Sequence, residues 1–132
     1  MRRLLSIAAL CFLWATPLLA QSAQPPIGTQ LTTFFNGTQA ITKAFSAVSG
    51  KSIYITQITA SGTAAGVLTI SKGTGTNCGT GTTTLYTETL IAGTPLNHGD
   101  GAGVIAVVGS SVDLCITVAT QSLSGWVSIA QF

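Results

Sequence analysis

The side chains able to do chemistry are few in this 132-residue sequence, and most lack partners at a useful spacing. Cys78 lies in the glycine/threonine stretch Gly73-Thr-Gly-Thr-Asn-Cys-Gly-Thr-Gly-Thr-Thr-Thr84, and Cys115 lies in the apolar run Val112-Asp-Leu-Cys-Ile-Thr-Val118. A structural metal takes about four thiolate or imidazole ligands, and two cysteines with no histidine or third thiol nearby do not supply them. His98, the only histidine, stands in Asn97-His-Gly-Asp-Gly101. A hydrolase would need that imidazole oriented by an acid beside a nucleophile, and no Gly-x-Ser-x-Gly elbow exists. His98 and Asp100 are therefore read as turn residues. Glu88, Asp100 and Asp113 are the only carboxylates and lie on separate segments. That is unlike the facing pair of a glycosidase or the roughly six to eight oxygens around calcium. The repeats Gly73-Thr-Gly75 and Gly79-Thr-Gly81 lack the lysine and following helix of a phosphate loop. No catalytic residue, metal or cofactor is expected. Trp126, Tyr86 and Tyr54 are the side chains that would meet a partner or stack on a sugar, with core or sheet packing as their more ordinary role.

What must position these groups begins with a leader. Residues 1–20 carry Arg2 and Arg3, then an apolar stretch, then Pro17 and the small Ala20, the order of a secretory signal. Cleavage is expected after Ala20, with Ala23 as the second choice. The apolar run is broken by Pro17 and falls short of the ~20 residues of a spanning helix, so no membrane span is expected after cleavage. Cys11 leaves with the leader. The formal charge of +2 goes too, because Lys43, Lys51 and Lys72 then balance Glu88, Asp100 and Asp113. A neutral chain with so few charges offers no cationic surface for nucleic acid. It repels copies of itself only weakly. The product is expected outside the cytoplasm, secreted, periplasmic or extracellular.

Residues 21–37 read as an extended arm, since Pro25-Pro26 disfavours helix, with Gln30–Phe35 a candidate first strand within it. Asn36-Gly37 reads as a turn at its end. Residues 38–132 read as one domain. Thr38–Ser49 fits either a strand or a short helix, with the strand preferred. Ser52–Thr59 is rich in β-branched and aromatic residues. Ile53 and Ile55 fall on the opposite face from Ile58, which implies a bulge or a central position. Gly66–Lys72 points Leu68 and Ile70 inward. Thr83–Ile91, Val104–Val108, Val112–Ala119 and Trp126–Phe132 complete the strands, with Leu96–Gly103 a turn-rich connector. About seven or eight short strands with glycine-rich turns predict an all-β sandwich or small barrel.

Alternation also bears on the cysteines. If Leu114, Ile116 and Val118 face the core, Cys115 faces out, toward whatever loop covers it. In an oxidising compartment the partner is Cys78. Closing a loop of about 38 residues stabilises by roughly 4 kcal/mol on chain-entropy grounds. Glycine-rich loops are otherwise expensive to order.

Three stretches, Gly73–Leu85, Asp113-Leu-Cys-Ile-Thr117 and Ser124-Gly-Trp-Val-Ser-Ile-Ala-Gln-Phe132, together resemble small jelly-roll β-sandwich proteins of bacterial and tailed-phage genomes. The resemblance covers roughly residues 38–132. It implies a Cys78–Cys115 bridge, no catalysis, and a structural or adhesive role, in some members virion-associated. The export signal favours an extracellular or envelope setting. The expectation is a disulfide-stapled, jelly-roll-like sandwich acting as a structural or interaction subunit. Its partners would be copies of itself or a surface protein, with carbohydrate or cell-surface binding as the alternative.

Overall fold

The computed structural model describes residues 28–99 and 103–132. The leader 1–20, its cleavage site, the start of the arm (residues 21–27) and Asp100 lie outside the described residues. Within them run seven strands: β1 (Thr29–Phe45), β2 (Ile53–Gly62), β3 (Gly66–Thr74), β4 (Thr80–Leu90), β5 (Leu96–His98), β6 (Ala106–Val108) and β7 (Asp113–Gln131).

Two of these, β1 and β7, are long enough to cross the whole molecule, and they pair antiparallel along their length. The first half of β7 also pairs with β3, and its second half with β2. The β1–β7 ribbon therefore belongs to two antiparallel sheets, which face each other as a sandwich of nine strands once the two long ones are counted in each sheet. The first sheet is β4, β3, the start of β7 and the end of β1. The second is the start of β1, the end of β7, β2, and the short strands β5 and β6.

Where the ribbon passes between sheets, Gly37 pairs with Leu123 but Gln39 with Val118, so β7 carries extra residues at the corner. Asn36-Gly37 is thus not the expected turn. Gly37 does take a positive φ of 85°, but it uses it to bend a continuing strand. In consequence Thr29–Gly37, expected as arm, is the first half of β1, and the ambiguous stretch from Thr38 continues as strand to Phe45. The segments expected as two closing strands are likewise one, β7.

Burial follows the pleat. In β2, Ile53, Ile55, Ile58 and Ala60 are all buried, because a register shift between Ile55 and Gln57 moves Ile58 onto the inner face. Leu68 and Ile70 of β3, and Leu114, Ile116 and Val118 of β7, meet them from the other sheet. Each such side chain contributes about 1.5–3 kcal/mol on burial. That is why the alternating aliphatic pattern fixes which face turns inward.

Candidate functional site

The geometry of the Gly/Thr loop is that of a clamp. The short 3-10 turn Thr76–Cys78 lies over the outer face of the first sheet, and Cys78 and Cys115 are joined, with Cα atoms 6.3 Å apart. Both cysteines are fully buried. Gly73 of β3 permits the close approach: a Cβ there would stand 2.7 Å from that of Cys78. Asn77 and Cys78 both have positive φ, 47° and 57°. Asparagine tolerates this conformation, whereas cysteine does so at a cost. The Thr82 hydroxyl donates to the Cys78 carbonyl. The backbone N–H of Lys43 donates to Asn77 Oδ1 at 3.3 Å, tying the loop to β1.

Asp113 holds the other side of the clamp. Its Oδ1 accepts the Ala47 N–H at 2.7 Å, and its Oδ2 lies 2.6 Å from Lys43 Nζ. Burial alone would disfavour its charge. The Lys43 hydrogen bond, the Ala47 N–H and the Lys43 charge outweigh that, and the carboxyl is held below its usual range. Among the described residues, the buried Ser71 hydroxyl beneath the loop has no hydrogen-bond partner.

A second cluster lies where the outer strands of the two sheets approach each other. His98 pairs with Ile58 in β5 rather than occupying a turn. Its ring meets Tyr86 of β4 edge-on, with centroids 5.5 Å apart. The Tyr86 hydroxyl donates to Glu88 Oε2 at 3.3 Å. Burial first, then the Glu88 charge and hydrogen bond, push the phenol up to about 12, so it stays protonated at neutral pH. Tyr86 thus closes the seam between sheets, away from Trp126 and Tyr54.

Trp126 and Tyr54 share the outer face of the second sheet. Trp126 lies opposite Phe34 of β1 and Thr59 of β2. The Phe34 and Trp126 rings are 6.5 Å apart and inclined at 56°. A trough of about 360 Å³ is lined by both rings with Asn36, Ser61 and Ser124. The next row outward along β7 is Thr32, Ser128 and Gln57, with Thr32 Oγ1 and Ser128 Oγ 2.9 Å apart. The row after that holds Gln30, Ala130 and Tyr54, and the Tyr54 ring stacks on Phe132 at 4.2 Å. No charged residue occurs in these rows.

Phe34 was not a sequence candidate, yet it is 77% exposed, the most exposed large apolar side chain described. The readable signal was the doublet Phe34-Phe35: in a strand, one ring of such a pair must face out. Phe35 is the buried one. Gly125, beside Trp126, leaves room for it, since a Cβ there would come within 2.7 Å of the Phe35 ring.

Among the described residues no helix is long and apolar enough to cross a membrane, and no three His, Cys, Asp or Glu side chains cluster to hold a metal. No family model, curated protein or solved structure matches the chain.

Proposed function

We propose that the chain is an exported, non-enzymatic interaction subunit whose copies join by strand addition at the first half of β1. One observation carries this reading. From Thr29 to Gly37 β1 pairs residue for residue with Gln131 to Leu123, while its other edge has no strand against it among the described residues. An open edge is a template for another strand, and natural proteins usually blunt it with lysine, proline or bulges. The second half of β1 is blunted in this way, by two bulges, between Gln39 and Thr42 and between Lys43 and Phe45, and by Lys43. The first half, Thr-Gln-Leu-Thr-Thr-Phe-Phe-Asn-Gly, has no charge, proline or bulge. The neutral balance of residues 21–132 supports the same reading, because little Coulomb repulsion opposes contact between copies.

Light scattering across a concentration series of the exported chain tests it. The expectation is dimers or larger species that Leu31→Lys returns to monomer, because this change places a charge on the edge at a position already 41% exposed. A strict monomer at every concentration would refute the reading.

A further inference from the structure

We infer that the outer face of the second sheet binds neutral oligosaccharide chains, held between the Phe34–Trp126 pair and Tyr54. This site is separate from the β1 edge, because side chains project perpendicular to a sheet while strand addition uses groups in its plane.

The chemistry follows from what the face contains and what it lacks. A pyranose ring has an apolar C–H surface bounded by hydroxyls. Its complement is an aromatic ring rimmed by neutral donors and acceptors. The inclined rings of Phe34 and Trp126 supply the first, and an exposed apolar patch with a polar rim is a mark of an interaction site. Thr32, Ser128 and Gln57 supply the second, with the Thr32 and Ser128 hydroxyls 2.9 Å apart. Stacking on aromatic rings also suits nucleic acid bases, but their phosphates require lysine or arginine along the path. These rows have none, and for the same reason sulfated or uronic polymers find no counter-charge.

The ligand is a chain and not a single sugar. Trp126 and the Tyr54 partner Ala130 lie four residues apart on β7, about 13 Å at ~3.3 Å per residue. Hydroxyl and amide side chains occupy the interval, so a linear ligand running along β7 would meet ring, polar row and ring in turn.

Calorimetric titration of the exported chain with cellohexaose, maltohexaose, chitohexaose, glucose, heparin and oligothymidine tests this. At least one neutral hexasaccharide should bind, with glucose weaker by about tenfold or more. Added salt should leave that binding unchanged. Phe34→Ala and Trp126→Ala should each weaken it by about tenfold, roughly 1.4 kcal/mol. Should Trp126→Ala lower the melting temperature, Phe34→Ala decides, since that ring is already in solvent. Failure of all three hexasaccharides, tighter binding of heparin or oligothymidine, or unchanged affinity in both variants would overturn the inference. The Leu31→Lys monomer should still bind the hexasaccharide. Loss of binding there would overturn the assignment to the face alone, whereas a wild-type monomer that binds would refute assembly and leave the glycan site standing.

Discussion

At the scale of single residues, Cys115 shows how far alternation reaches. The aliphatic residues on either side of it had to face inward, so the sulfur had to face out and needed a cover. Only Cys78 remained to provide one. The structure adds that the bridge is sealed from solvent, since both cysteines are fully buried. Reduction or a Cys78→Ser, Cys115→Ser double variant should lower the unfolding free energy by about 4 kcal/mol, read from denaturant midpoints with and without reductant. Asp113 was legible as outward-facing but not as clamped, because Lys43 and Ala47 come from a distant part of the chain. Its carboxyl is held below the unfolded value, so its contribution is complete above the unfolded pKa and disappears as pH falls through the folded one. Asp113→Asn should cost on the order of 1–2 kcal/mol at neutral pH. The gap between variant and parent should close in acid, which melting curves across pH will show.

At the scale of elements, inner-face patterns were readable and strand ends were not. Leu68 and Ile70, or Ile53 and Ile55, announce a buried face through period-two spacing alone. The continuity of β1 and β7 is hidden because a strand that crosses between sheets breaks its own alternation at the corner. There Asn36-Gly37 has the chemistry of a hairpin turn, and only the pairing of both flanks with β7 shows it to be a bend. Gly37 offers a clean test. A Cβ would meet nothing within 4 Å, so any penalty must come from its positive φ and not from crowding. Gly37→Val should therefore cost about 1–2 kcal/mol, and Gly37→Asn much less, by chemical denaturation. Equal losses in the two variants would mean that the corner needs something other than backbone freedom.

At the scale of the whole molecule, sequence composition spoke to fold class but not to place. The neutral balance predicted a surface tolerant of close neighbours, yet which surface depends on where bulges fall, and bulges are set by pairing across the fold. The same holds for Trp126 and Tyr54: their types suggested contact with a partner, while only the sheet brings them to one face and sends Tyr86 to the seam. If copies join through the open half of β1, association favours the folded state by mass action. At concentrations about a hundredfold above the dissociation constant the gain is ~2.7 kcal/mol, which for a domain of this size raises the melting temperature by roughly 10 °C. The melting temperature should then climb with protein concentration in the parent and stay level in Leu31→Lys. Reduction of the disulfide should behave differently, because it changes the unfolded chain within each copy. It should lower the melting temperature by a similar amount at every concentration and leave the slope intact. A flat concentration dependence in the parent would return β1 to the status of an ordinary solvated edge.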